Sequence, residues 1–188
     1  IKLRGAITAM VTPMNSDGSV DYEGFRQNVI FQLEQGIDGI APLGTTGETP
    51  CLNEDEEEKI IKIAVEEADK HNKKTGKKVP VMIGAGSNNT IDAVRYCERA
   101  KKLGADVALV VAPYYNKPSS EGIFRHYEQI SKVGIPILVY NIAGRTGINI
   151  ATSTLKRNAN LPNICGVKEA SGDINQMMQF ISKKKKKN

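Results

Sequence analysis

An alternation with a repeat of roughly thirty residues runs through this sequence. Apolar runs at 6–12, 37–43, 79–83, 106–111, 135–139 and 164–168 are each followed by a helical pattern. None of the runs alternates strictly between apolar and polar residues. They therefore read as parallel strands covered by helices, not as half-solvated antiparallel ones.

The helical stretches carry their own start and stop signals. Asp21 is placed to cap a helix with Tyr22, Phe25, Val29 and Leu33 on one face and Gly36 at its end. Asn53 and Glu56 have capping-box spacing, opening a helix that reaches about Asn72. The acidic stretch 54–58 falls in its first turns, where it complements the helix dipole without calling for a metal site. A third helix begins near Thr90 with Ile91, Val94, Cys97 and Ala100 on one face. A fourth carries Ile123, Tyr127 and Ile130; a short helix over 152–157 and a last one from Asp173 follow.

Two parallel architectures fit such an alternation. No Gly-x-Gly-x-x-Gly follows the first run, so a dinucleotide-binding sheet lacks its main support. Polar or reactive residues do stand at strand C-terminal ends throughout: Thr12, Thr45, Tyr115, Tyr140 and Lys168. A doubly wound sheet gathers only the ends beside its switch point, whereas a (β/α)₈ barrel brings all of them to one mouth. The expected fold class is therefore α/β, a (β/α)₈ TIM barrel of which these residues supply about the first six units. A full barrel takes eight units and typically about 250 residues. The expected division is an incomplete barrel over 1–182 and a lysine tail over 183–188. Open edges at the first and sixth strands make an aggregation-prone or loosely packed fragment the expectation for this chain alone.

Composition narrows the function classes. The net charge of +5 is matched by Lys183 to Lys187 alone; without those five of the 26 basic residues, basic and acidic groups balance at 21. The basicity is a tail and not a patch, so nucleic acid is not an expected partner. No run approaches membrane-spanning length, so no membrane partner is expected either. Cys51, Cys97 and Cys165 are odd in number and widely spaced, which suits neither zinc nor a disulfide framework. His71 and His126 stand alone and read as solvated or packed. The start Ile-Lys-Leu-Arg has no signal-peptide pattern. A cytoplasmic location is expected, with a removed plastid transit peptide as an open alternative.

Lys168 ends the sixth run before the small-residue turn Ala170-Ser171-Gly172. A strand-end lysine ordinarily packs its stem and keeps its head in water. Facing other strand ends, its amine could instead form a Schiff base with a ketone, provided that its proton is removed. At an ordinary pKa of about 10.4 only roughly one amine in a thousand is neutral near pH 7.4. Burial or a neighbouring cation is needed to raise that fraction.

Four ordered motifs, Gly44-Thr45-Thr46-Gly47-Glu48, Pro113-Tyr114-Tyr115, Tyr140-Asn141-x-x-x-Arg145-Thr146-Gly147 and Gly166-Val167-Lys168-Glu169, resemble the dihydrodipicolinate synthase family of pyruvate-dependent class I aldolases. The resemblance covers nearly the whole chain up to about Ile181. It implies that Lys168 forms the imine with pyruvate and that Tyr140 moves protons in a relay with Thr45 and Tyr115. Tyr115 would reach a neighbouring subunit's site, which implies a homo-oligomer, dimer or tetramer. Thr46 and adjacent amides would hold the pyruvate carboxylate, with Gly44 and Gly47 allowing close approach. Arg145 would bind the carboxylate of aspartate semialdehyde. The imine is made with the substrate itself, so no cofactor is implied. The implied pathway is lysine and diaminopimelate biosynthesis. Alternatives are a related aldolase or lyase acting on a sugar-acid aldehyde, and an inactive fragment of the synthase. Ala143 departs from the proline expected there in many relatives, and the lysine run is not family-like.

Overall fold

Side chains open the helices. In the computed structural model, which describes residues 3–182, the Asp21 carboxylate accepts the Gly24 amide at 2.8 Å. It thereby caps α1 (Tyr22–Glu34), which buries Phe25, Val29 and Leu33. Asn53 and Glu56 form the reciprocal capping box that starts α2 (Glu54–Thr75). This helix runs a turn beyond the expected Asn72 and is closed by Gly76 at φ 71°. Only a residue tolerant of left-handed backbone suits that stop. The lysine run at 183–188 lies outside the described residues.

The strands lie side by side in chain order. β1 (Ile7–Ala9) pairs in parallel with β2 (Gly39–Ala41). β3 (Met82–Gly84), β4 (Val107–Val111), β5 (Ile137–Asn141) and β6 (Ile164–Glu169) form a parallel sheet in that order. A parallel bridge between Ile40 and Val81 joins the two sets. The Ile40 amide donates to Pro80 O at 3.2 Å and that of Gly84 to Pro42 O at 3.1 Å. A doubly wound sheet reverses its strand order; this one does not, and the barrel reading holds. Among the described residues β1 and β6 have one strand neighbour each.

Several boundaries differ from the sequence reading. The first strand ends at Ala9; three residues on, the Thr12 hydroxyl bonds Gly47 O at 2.7 Å. The second stops before Leu43, whose φ of 58° breaks the extended chain. β5 begins at Ile137 because Pro136 has no N–H to give the ladder. The third helix, α3 (Thr90–Lys102), buries Ala93, Cys97 and Ala100. Ile91, expected on that face, is 76% exposed. Six residues of helix turn through about 600°, which leaves Ile91 roughly 120° away from Cys97. The fourth helix, α4 (Ser120–Ser131), buries Ile123, Tyr127 and Ile130 as expected.

Strand pleating divides the apolar residues in two. Phe25, Val29, Ile60, Ile83, Val110 and Ile137 belong to the large core that includes the helices' buried faces. Ala41, Met82, Val107, Leu109 and Tyr140 make a smaller cluster on the other strand face. After β5 come the short helices α5 (Ala143–Thr146) and α6 (Thr152–Asn158), and after β6 comes α7 (Ile174–Ser182). Among the described residues no helix is long and apolar enough to cross a membrane, and all three cysteines are free.

Candidate active site

Parallel pairing sets Tyr140 of β5 directly opposite Lys168 of β6. The Lys168 ammonium nitrogen lies 4.2 Å from the centroid of the Tyr140 ring. Tyr140 is only 7% exposed, while Lys168 is half-buried. An ammonium on an aromatic face gains about 0.5–2 kcal/mol, more as water is excluded. The same face would suit a cationic imine on that nitrogen.

The Gly44–Glu48 motif is fixed to the segment that follows β1. Thr45–Gly47 form a short 3₁₀ turn, and the Thr12 bond to Gly47 O pins it. Packing around Gly47 is tight: a Cβ there would sit 3.2 Å from Met10 O and 3.3 Å from Thr12 Oγ1. At Gly44 nothing stands within 4 Å of a Cβ position, and that residue does border open space.

The open space is a cavity of about 390 Å³ bordered by Thr45, Tyr140, Arg145, Thr146, Glu57 and Arg99, among others. Lys168 does not line it; the amine meets Tyr140, which does. Arg145 is exposed on α5, a single helical turn. Its neighbour Thr146 is buried and holds that turn through a hydroxyl bond to Ile148 O at 2.8 Å. Thr46 is exposed and does not line the cavity. Tyr115 is 87% exposed at φ 70°, with its amide on Thr146 O at 3.3 Å. Leu43, Glu48, Tyr115 and Lys117 all take positive φ. Left-handed backbone costs a non-glycine residue about 1–2 kcal/mol, and such strain gathers in the two loops beside the cavity.

Thr45, Tyr140 and Arg145 therefore meet around one space, with Lys168 against Tyr140, while Thr46 and Tyr115 face solvent. The sequence reading missed two features. Glu57, read from the sequence within the acidic first turns of α2, is buried in the cavity wall and paired with Arg99. Burial pushes its carboxyl above the ordinary value, with Arg99 opposing that shift. Glu54 pairs with Arg95 at 2.9 Å and Arg99 at 3.6 Å. The arginines at 95 and 99, one helical turn apart opposite an acidic turn, were the available signal. The second missed feature is a set of amide side chains around Glu169. Asn141, fully buried, donates Nδ2 to both Glu169 oxygens at 3.0 Å.

The sequence profile of the Dihydrodipicolinate synthetase family matches residues 2–188. The chain belongs to this family. A 4-hydroxy-tetrahydrodipicolinate synthase of Bartonella bacilliformis is 49% identical over 179 residues, which are 94% of this chain and 58% of that protein. The crystal structure of the chloride-inhibited dihydrodipicolinate synthase from Acinetobacter baumannii complexed with pyruvate is 40% identical, with a TM-score of 0.90. That match covers 96% of this chain and 60% of the Acinetobacter chain. A dihydrodipicolinate synthase from Thermotoga maritima is 44% identical at a TM-score of 0.88, covering 95% of this chain and 59% of its own. This dihydrodipicolinate synthetase family chain thus spans about three-fifths of the length of these relatives.

Proposed function

We propose that the whole protein condenses pyruvate with aspartate semialdehyde through an imine on Lys168, giving 4-hydroxy-tetrahydrodipicolinate for lysine and diaminopimelate synthesis. The observation that carries this is the Lys168 amine on the Tyr140 ring, beside a cavity shared by Thr45 and Arg145. Family membership supplies the substrates.

The neutral Lys168 amine attacks the keto carbon of pyruvate, and loss of water leaves a protonated imine. That cation is the electron sink, so a methyl proton can leave to give an enamine, and the scheme calls for no cofactor. The enamine carbon attacks the aldehyde, whose oxygen takes up a proton. Tyr140 is the donor and acceptor, relayed through Thr45, which borders the same cavity. Thr46 and the amides of its turn hold the pyruvate carboxylate, and the Arg145 guanidinium holds that of the aldehyde. The aldehyde substrate's own amine then displaces the lysine and closes the ring.

Tyr115 works in the site of a neighbouring copy, so the protein is a homo-oligomer. Its 87% exposure leaves the ring free for such a reach. The enzyme acts in the cytoplasm, with neither nucleic acid nor membrane as partner. Assaying pyruvate with aspartate semialdehyde and with sugar-acid aldehydes tests the substrate. Turnover should be confined to the semialdehyde; preferential turnover of a sugar-acid aldehyde would overturn the assignment.

A further inference from the structure

Beside the reactive pair lies a second cross-strand pair. Asn141 follows Tyr140 on β5, Glu169 follows Lys168 on β6, and the two are in register. Pleating turns this pair to the opposite strand face from Tyr140 and Lys168. The Asn141 Nδ2 group bonds both Glu169 oxygens at 3.0 Å and Asn149 Oδ1 at 2.8 Å. Its Oδ1 accepts the Ile150 amide at 3.0 Å. From α7, Gln176 donates to Glu169 Oε2 at 3.1 Å and Ile150 O at 3.2 Å. The Ser171 amide reaches Glu169 Oε1 at 2.9 Å.

Glu169 is thus a carboxylate held by neutral donors. Burial pushes its pKa up, but the bonds from Ser171, Asn141 and Gln176 outweigh that and leave it below the ordinary value. The network is also polarised: every hydrogen bond described here points toward the carboxylate or is fixed by an amide whose orientation that carboxylate sets. Its members come from β5, β6, the turn after β6, the segment before α6, and α7, and it ties these five together at the strand ends. Ladder bonds alone leave a strand end free to fray.

We propose that Asn141 and Glu169 are positioning residues, whose bond fixes the ends of β5 and β6 so that the Lys168 amine stays on the Tyr140 ring. The inference rests on the imine reading above. A shift of about 1 Å in a reacting group can cost on the order of a hundredfold in rate.

Reductive trapping of the pyruvate imine by borohydride, timed in the whole protein, tests it. Asn141→Asp sets two carboxylates face to face. It should slow trapping at saturating pyruvate about tenfold or more, with the final trapped amount and the half-saturating pyruvate concentration unchanged. Adding Glu169→Gln removes the second carboxylate, lets the new amide donate to the aspartate while its oxygen keeps the Ser171 amide, and should bring the rate at least partway back. A merely structural role would lower the trapped amount in both variants and would not be rescued. Wild-type trapping speed in Asn141→Asp, or a double variant as slow as the single one, overturns the proposal. Absence of trapping in the wild type overturns the imine reading itself, and the positioning role with it.

Discussion

Lys168 and Tyr140 are held together twice, once by the backbone register of β6 on β5 and once by the amine resting 4.2 Å from the ring centroid. The ring and the hydroxyl of Tyr140 therefore have separable jobs. Tyr140→Phe keeps the face that seats the amine and removes the proton carrier. Imine formation with pyruvate should survive, while overall turnover falls about a hundredfold or more, the usual scale for losing a general acid or base. Comparing the rate of imine trapping with kcat checks it; equal losses would mean that the hydroxyl acts on the imine step as well.

Arg145 borders the cavity but is exposed and stands on a turn of its own. Arg145→Ala should impair use of the semialdehyde far more than imine formation. A charge-assisted bond to a carboxylate contributes about 2–3 kcal/mol, roughly 30- to 160-fold in kcat/KM for that substrate. Steady-state kinetics with each substrate varied in turn decide this, and equal damage to both steps would make Arg145 an organiser of the site.

His126 is 4% exposed, with Nδ1 2.9 Å from Thr90 Oγ1. Burial holds its folded pKa down at about 4, against 6.5 for the free side chain. Above pH 6.5 both folded and unfolded chains carry a neutral ring, and the contribution to stability is complete. Between pH 6.5 and 4 the unfolded chain takes up a proton that the folded one refuses, so stability is lost as pH falls. By pH 5 the loss should be on the order of 2 kcal/mol. Urea unfolding at pH 7.5 and 5.0 should show this slope in the wild type and a shallower one in His126→Gln.

Arg99→Met would leave Glu57 buried without its partner. Removing one member of a buried ion pair costs about 3–5 kcal/mol, while replacing both is often neutral. Arg99→Met should therefore lower the urea midpoint markedly, and Glu57→Gln in the same chain should recover most of it. Additive losses would show that Glu57 gains little from Arg99.

The sequence made the large features legible because they are repeated or local. Six apolar runs between capped helices need no tertiary knowledge, and the Asn53–Glu56 box formed as its spacing predicts. Strand ends were harder to read: Pro136 sets one from the sequence itself, but the positive φ of Leu43, which stops another, depends on the tertiary fold. At the site, Lys168 and Tyr140 could be paired in thought because both end strands. Their neighbours Asn141 and Glu169 stood in the same motifs, but their link with Gln176 crosses three elements and only the folded chain displays it. Glu57 looked like one more dipole charge in an acidic turn, because burial of a single member of that run depends on where α3 packs.

If Lys168 carries the chemistry, treating the whole protein with pyruvate and borohydride, digesting it and mapping the added mass should find one modified residue. That residue is Lys168, with labelling dependent on pyruvate and abolished in Lys168→Met. Labelling at any other lysine, or no labelling at all, would contradict it.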